Sequence, residues 1–269
     1  MPLRTVRFEH LTPGEIVAER RRLPVVYQPI GPLEWHGPHL PMGTDALNAH
    51  AVACEAADRL GGVVMPAMYW GTERERSPDA LRHIGFEGDE WIIGMDFPAN
   101  RSMKSFYTPE DVFGIIMRDR IQQLVKQDYR LIVIINGHGA DNHIRVLSRL
   151  AAEFSHTTEA SVFFPQVLNP VSDISMDYGH ANLPETALMM HLCPDDVRMD
   201  ILPPKPVPMF NTDYAIVDSD TFLGRPNEER TVRGDPRDAT AADGDAIFQR
   251  TLRMVTALIH AEMQRLFGK

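Results

Sequence analysis

The sequence predicts an α/β fold, in which a mainly parallel sheet carries helices on both faces. Predicted strands and helices alternate along the chain, as they do in proteins built from βαβ units. The strongest strand pattern, at residues 131–135, is an unbroken apolar run, which is typical of a strand buried on both faces of a parallel sheet. The 269 residues suit one large domain, which we predict to span residues 1–269.

The first half of the chain shows clear helix starts. Thr12 is a favourable N-cap, Pro13 suits a first helical position, and Glu15 completes a capping box. Thr44 is predicted to cap the next helix, which ends at two glycines. The predicted elements here are a helix over 12–22, a strand over 25–30, a helix over 45–60 and a strand over 63–66.

Residues 71–107 have no clear periodicity and are predicted to form a long insertion or lid, since loops of that length are usually functional or mobile. Thr108 opens the following helix with the same capping chemistry as Thr12. The region from 194 to 240 has many prolines and few periodic signals. The remaining predicted elements are a helix from about 108, strands over 131–135 and 160–167, and helices over about 144–154, 184–192 and 241–267.

Composition narrows the class of protein. The net charge of −10 disfavours binding to nucleic acid and to anionic membranes, which depends on Lys and Arg. No apolar run approaches the roughly 20 residues of a membrane-spanning helix. The start of the sequence also lacks the apolar core of a signal peptide. We therefore predict a cytoplasmic protein that acts on small molecules, with no nucleic-acid or membrane partner.

Two polar clusters directly follow predicted strands. The first runs from Gly31 to Asp45 and the second from Asn136 to Asn142. Ligands bind outside the carboxyl ends of the strands in such sheets, so both clusters could meet at one site.

The residue types in these clusters are those of a catalytic metal site. Glu34 and His36 share one face of an extended segment, and Asp45 lies where a helix dipole favours a carboxylate. With His138 they form a set of imidazole and carboxylate groups without thiolate, which suits Zn, Mn or Fe. The alternative is that these side chains only cap and shape a polar loop.

A third cluster spans residues 177–186. Pro184 indicates a helix start, which places Glu185 in a first turn and His180 in the loop before it. General acid–base chemistry is plausible for His180, whereas Glu185 taken alone is explained by ordinary stabilisation of a first helical turn.

The three clusters together resemble the creatininase (creatinine amidohydrolase) family. The family pattern is a Glu-x-His-Gly-x-His-Leu-Pro run ending in Thr-Asp, an Asn-Gly-His-Gly turn and a His-Ala…Glu-Thr segment. These stand here at residues 34–45, 136–142 and 180–186. The match covers residues 25–192, and its first run is long and specific.

The resemblance implies a three-layer αβα sandwich with two divalent metal ions per chain, a bridging water and a homo-oligomer that is often hexameric. It implies that the metal ligands include Glu34, His36, Asp45 and His138, with Asp45 bridging. It places His180 and Glu185 at the reaction centre, as ligands or as proton-transfer groups. The family also includes formamidopyrimidine deformylases and a peptidase that trims a redox-cofactor precursor peptide.

Two departures bear on the substrate and on the second metal. Creatinine-cleaving members carry a carboxylate where this chain has Ala140, so that either Asp141, one residue later, or Glu185 completes the second metal's ligands, and we favour Glu185. Those members also place tryptophans beside the substrate, near the third cluster. Here none occurs between residues 160 and 190, so creatinine itself is not the expected substrate.

The predicted activity is hydrolysis of an amide C–N bond in a small cyclic amide, lactam or formamide, through a metal-activated water. His180 and Glu185 are the predicted catalytic residues. The alternatives are a binuclear phosphoesterase and a non-catalytic binding or regulatory protein on a hydrolase fold. Cations in the insertion could bind a substrate carboxylate, or could belong to a solvated loop or an oligomer contact; they include Arg74, Arg76, Arg82, Arg101 and Lys104.

Overall fold

The computed structural model describes residues 3–83, 86–96, 103–165, 180–217 and 234–268. Four strands and seven α-helices lie in these ranges, together with short 3-10 turns. The strands are β1 (Val25–Ile30), β2 (Val63–Val64), β3 (Leu131–Asn136) and β4 (Ser161–Phe163). The helices are α1 (Pro13–Arg22), α2 (Thr44–Leu60), α3 (Pro78–His83), α4 (Glu110–Lys126), α5 (Asp141–Thr157), α6 (Leu183–Leu192) and α7 (Ala241–Phe267).

The four strands form one parallel sheet in the order β2-β1-β3-β4. β1 and β3 are the central strands and pair along their whole length, from Val25 opposite Leu131 to Ile30 opposite Asn136. Every residue of β1 is buried, as are the first five of β3, because helices cover both faces. The ends of β1 and β3 therefore lie side by side, which places the two loops that follow them at one edge of the sheet.

Alternate residues of the strands enter two separate cores. On one face, α4 and α5 pack their apolar stripes against β1 and β3, and the core includes Val26, Ile132, Phe113, Met117, Leu147 and Phe154. On the opposite face, α2, α6 and α7 form the second core, which includes Tyr27, Val133, Val52, Leu188, Leu252 and Val255. The predicted three-layer αβα sandwich is thus confirmed.

Two of the predicted helix caps are wrong, although the helices themselves are present. The capping box of Thr12 and Glu15 forms as predicted. Thr44, however, is the first residue of α2, and its hydroxyl donates to the Pro41 carbonyl instead of capping the helix. Thr108 lies outside α4, where Pro109 is the N-cap residue and no side chain caps the helix. In both cases the preceding loop, rather than the local cap, sets where the helix begins.

The aperiodic region folds against the first polar cluster. We call its described residues, 71–83, 86–96 and 103–107, the cap segment. Antiparallel backbone bonding between Arg76 and Ile92 and between Gly94 and Arg74 ties its two arms together. Its side chains share an apolar cluster with Trp35: Leu81, Phe86, Ile92 and Met95. The absence of periodicity therefore indicated irregular structure. The described part of this region packs against the loop that follows β1.

Residues 164 and 165 follow β4 without strand structure, and the last two residues of the predicted strand, 166 and 167, lie outside the described ranges. Within the described ranges, no helix combines the length and apolarity that crossing a membrane would need.

Candidate active site

Asp45 lies between two histidines at the carboxyl edge of the sheet. Its Oδ1 is 3.2 Å from Nε2 of His36, and its Oδ2 is 3.1 Å from Nδ1 of His138. All three side chains are buried. One carboxylate thus presents one oxygen toward each of two imidazoles, which is the arrangement expected of a bridging ligand between two ions.

Close backbone packing brings these groups together. The first turn of α2, which carries Asp45, sits directly on Gly137 at the end of β3. A Cβ atom at Gly137 would lie 2.1 Å from the Asp45 carbonyl oxygen, so only glycine allows this approach. The Asn-Gly-His turn therefore needs its glycine to place His138 beside Asp45.

Gly137→Ala is expected to separate α2 from the turn, to destabilise the protein by about 1–3 kcal/mol and to weaken metal binding. Chemical denaturation and metal content measure the two effects. Gly114→Ala is the matched control, because a Cβ there meets its nearest atom, in Arg149, at 3.5 Å, an ordinary contact. That helical substitution should be neutral or stabilising. Wild-type stability and metal content in Gly137→Ala would contradict the packing argument.

Backbone carbonyls orient both histidine rings. Nδ1 of His36 lies 3.0 Å from the Glu34 carbonyl oxygen, and Nε2 of His138 lies 3.2 Å from the Thr72 carbonyl oxygen. A carbonyl accepts but does not donate, so each of these ring nitrogens carries the proton. In a neutral ring the other nitrogen then keeps its lone pair, and in both residues that nitrogen faces Asp45. Metal-binding histidines in proteins are oriented in the same way.

The Glu34 carboxylate completes this side of the site. Its Oε1 accepts a hydrogen bond of 2.7 Å from the Tyr107 hydroxyl. Its Oε2 is buried and forms an ion pair of 2.9 Å with Nδ1 of His138; against the opposing effect of burial, Glu34 and Asp45 raise the pKa of His138 well above its usual value. A cation bound at this point would take the place of the His138 proton between the two donor atoms.

Two groups of ligand-type side chains have donor atoms close enough for one ion each. One consists of Glu34, Asp45 and His138, and the other of Glu34, His36 and His180. All are buried, and none supplies sulfur. Nitrogen and carboxylate donors of this kind suit Zn, Mn or Fe, so the residues present fit a metal site.

His180 and Glu185 lie on the side of His36. The His180 ring is 4.0 Å from the His36 ring, and its Nε2 hydrogen bonds to the Trp35 carbonyl. This contact leaves Nδ1 facing the Glu185 carboxylate, 3.9 Å from Oε2. Glu185 also accepts from the backbone NH of Ala181, in the first turn of a helix capped by Asn182.

The pKa values of these groups reflect burial and mutual charge. Burial raises the pKa of Glu185 to about 7, against the opposing effect of His36. Burial, then the charge of His36, lower the pKa of His180 to about 3. Burial alone would lower the pKa of His36, but Asp45, Glu185 and Glu34 together outweigh burial and raise that pKa to about 10. A cation at Asp45 would compete with the His36 proton, so metal binding should release protons.

Asp141 and Glu185, the two candidates for completing the second metal's ligands, lie in different surroundings. Asp141 starts α5 on the surface, where its carboxylate lies 3.4 Å from Arg74 and its side chain is 69% exposed. Glu185 instead faces His180 and His36, as the preferred alternative requires. The extra residue after Ala140 therefore does not turn Asp141 toward the site.

Arg76 is one of the cations for which the sequence leaves open a substrate contact, a solvated loop or an oligomer contact. Its Nε donates to the Gly94 carbonyl, and its charge contributes slightly to the low pKa of His180. Arg74 and Arg82 instead pair with carboxylates at the surface. Arg101 lies outside the described residues, as do residues 177–179 of the third cluster.

Sequence reasoning missed three contributors. Tyr107 binds Glu34, the Thr72 carbonyl orients His138, and His143 packs edge-on against His138, with ring centroids 5.0 Å apart. Tyr107 and Thr72 lie in an aperiodic region, and His143 occupies a helical position with no signal of its own. His39 is also buried nearby, where its Nε2 lies 2.8 Å from the Thr186 hydroxyl oxygen.

Comparison with known proteins agrees with this geometry. The sequence pattern of the family described as "Creatininase: Creatinine amidohydrolase" matches residues 9–259. Creatinine amidohydrolase of Pseudomonas putida is 27% identical over 192 residues, covering 65% of this chain and 67% of that protein. The mycofactocin precursor peptide peptidase of Mycolicibacterium smegmatis is 28% identical over 237 residues, covering 84% of this chain and 80% of that one.

Solved structures share the fold. A crystal structure of creatinine amidohydrolase superposes with a TM-score of 0.68 at 21% identity, over 97% of this chain and 98% of that one. A structure described as "Creatininase Mn" gives a TM-score of 0.67 at 21% identity, over 96% and 99% of the two chains. The family pattern spans nearly the whole sequence, and the chain therefore belongs to the creatininase family of metal-dependent amidohydrolases.

Proposed function

We propose that this protein hydrolyses the amide C–N bond of a small cyclic amide, lactam or formamide at a site for two divalent ions. The proposed ligands are Glu34, His36, Asp45, His138 and Glu185. The observation that carries this proposal is the placement of Asp45, whose two oxygens each face a different buried imidazole. A site for a single ion would not need both.

The proposed ions are Zn, Mn or Fe. Bound at these ligands, they would supply an activated water and a polarised amide carbonyl. The carboxylates offset the charge of the ions, and burial of the site strengthens each electrostatic interaction within it.

His180 and Glu185 are the proposed proton-transfer groups. Glu185, with its pKa raised by burial to about 7, can take up and release a proton near neutral pH. His180 is anchored through Nε2, so Nδ1 is the atom available to exchange a proton. Because burial and His36 keep its pKa at about 3, Nδ1 is unprotonated at neutral pH, and the proton that it passes to the leaving nitrogen must first come from a neighbouring acid such as Glu185.

The described tryptophans do not point to creatinine as substrate. Trp35 packs under His180 and has its indole buried, whereas Trp70 and Trp91 are exposed. Cyclic amides other than creatinine, and formamides, are therefore the preferred substrates.

A peptide is the second candidate substrate. It is supported by the mycofactocin precursor peptide peptidase, which resembles this chain over a larger share of its length than the Pseudomonas putida creatinine amidohydrolase does. Family membership favours both amide substrates over the phosphoesterase and the non-catalytic binding protein. The single domain, cytoplasmic location and homo-hexamer stay predictions.

A substrate panel tests the proposal. Protein loaded with Zn, Mn or Fe is assayed by chromatography for the ring-opened or cleaved products of lactams, cyclic ureas, N-formyl compounds, creatinine and short peptides. Bis-p-nitrophenyl phosphate is included to detect phosphoesterase activity. We expect metal-dependent turnover of a cyclic amide or formamide and little with creatinine. Turnover of peptides alone would favour the second candidate, and phosphodiester cleavage without amide cleavage would reject both.

A further inference from the structure

We propose that Tyr107 is a positioning residue of the metal site, which holds one oxygen of Glu34 so that only the other is free to bind an ion. The inference rests on the proposed metal site. It gives Tyr107, which is not a proposed ligand, the role of orienting the Glu34 carboxylate. Its support lies in the direction of two hydrogen bonds and in the burial of Glu34.

The direction of the Tyr107 hydroxyl proton follows from its neighbours. The backbone NH of Met95 donates to the Tyr107 oxygen at 3.0 Å, so the oxygen acts as acceptor there. The hydroxyl has one proton of its own, and an ionised carboxylate can only accept. The contact of 2.7 Å to Oε1 of Glu34 is therefore donated by Tyr107.

Because of this hydrogen bond, the two oxygens of the Glu34 carboxylate have different partners. Oε1 is engaged by Tyr107, while Oε2 is buried and lies 2.9 Å from Nδ1 of His138. A buried carboxylate oxygen is costly without a positive partner, so Oε2 is the oxygen placed to bind an ion beside His138. A Glu34 without Tyr107 could rotate, or could use both oxygens on one ion.

Two hydrogen bonds of the cap segment hold the Tyr107 hydroxyl beside Glu34. The backbone NH of Phe106 bonds to the Leu33 carbonyl at 2.7 Å, and the Ser105 hydroxyl accepts from the Trp35 NH at 3.0 Å. These two bonds fix residues 105–107 against the loop that carries Glu34. The Tyr107 side chain thereby couples the cap segment to the metal site, in addition to the Thr72 carbonyl that orients His138.

Tyr107→Phe tests the inference by a readout that does not depend on turnover. The affinity for Zn is measured by competition with a fluorescent chelator, on protein stripped of metal. We expect the Kd of at least one ion to rise about 10- to 100-fold, the range found when groups that orient metal ligands are removed. The visible spectrum of the Co-substituted protein should also change, because the binding mode of Glu34 changes.

Two variants serve as controls, one for the loss of a buried tyrosine hydroxyl and one for the loss of a hydrogen bond made by the cap segment. Tyr129→Phe removes the hydroxyl of a buried tyrosine. That hydroxyl has no hydrogen-bond partner among the described residues, so its loss should leave the Kd for Zn unchanged. Ser105→Ala removes a bond between the cap segment and the Glu34 loop but touches no proposed ligand, and should change the Kd less than threefold, a difference of about 0.6 kcal/mol.

The possible outcomes separate the two proposals. If wild-type protein binds Zn and Tyr107→Phe binds it equally tightly with an unchanged Co spectrum, the role of Tyr107 is rejected and the metal site stands. An equal loss of affinity in Ser105→Ala would likewise reject it, since cap packing alone would then explain the effect. Wild-type protein that binds no Zn, Mn or Fe would overturn both proposals.

Discussion

The Glu34→Gln/His138→Ala double variant is expected to lose its bound metal, whereas wild-type protein should hold about two divalent ions per chain. The substitutions remove a buried charge and the lone pair of Nδ1, both of which face the same point beside Asp45. Turnover should fall by at least about 1,000-fold, because loss of even one electrostatic stabiliser can cost 100- to 1,000-fold.

Plasma mass spectrometry on untagged protein, after reconstitution with Zn, Mn or Fe, measures the metal content. Asp141→Asn/His191→Ala is the matched control, since it removes a carboxylate and an imidazole that lie outside the proposed ligand set. It should keep both ions. An absence of metal from the reconstituted wild-type protein would reject the hydrolytic mechanism and favour a binding protein on a hydrolase fold.

His180→Ala is expected to keep both ions and to lose turnover by about 100- to 10,000-fold, the range for removal of a proton-transfer group. The reason is that Nε2 of His180 is tied to the Trp35 carbonyl, so that its free nitrogen faces Glu185. Turnover of the best substrate from the panel and metal content are measured on the same preparations, with His191→Ala as the control.

Metal content distinguishes the two roles open to His180, since its ring also lies within reach of an ion shared with Glu34 and His36. Loss of one ion in His180→Ala would make His180 a ligand and not a proton-transfer group. Full metal content with undiminished turnover would remove it from the mechanism.

Local patterns in the sequence were enough to predict the layers of the fold. The buried run at 131–135 specified a parallel strand because only helices on both faces can cover such a strand. The ends of β1 and β3 then had to share one edge, which brings the loops after residues 30 and 136 together. The burial of a strand and its direction in the sheet depend on the types of residues in and beside that strand. Both can therefore be predicted from local sequence patterns.

The proposed ligands were named from the residue types in those loops, but their geometry depends on contacts that no local pattern records. Asp45 faces two histidines only because α2 sits on Gly137. Asp141 lies away from these groups because the first turn of α5 faces solvent, where its carboxylate meets Arg74.

The contribution of Tyr107 was decided by tertiary structure alone. It is 73 residues away from Glu34 in the chain, and no periodic or capping signal marks its segment. Sequence by itself determined the sheet, its helices and the chemical types gathered at the sheet's edge. Tertiary structure decided which oxygens and nitrogens face one another, because those distances depend on packing between segments that are remote in sequence.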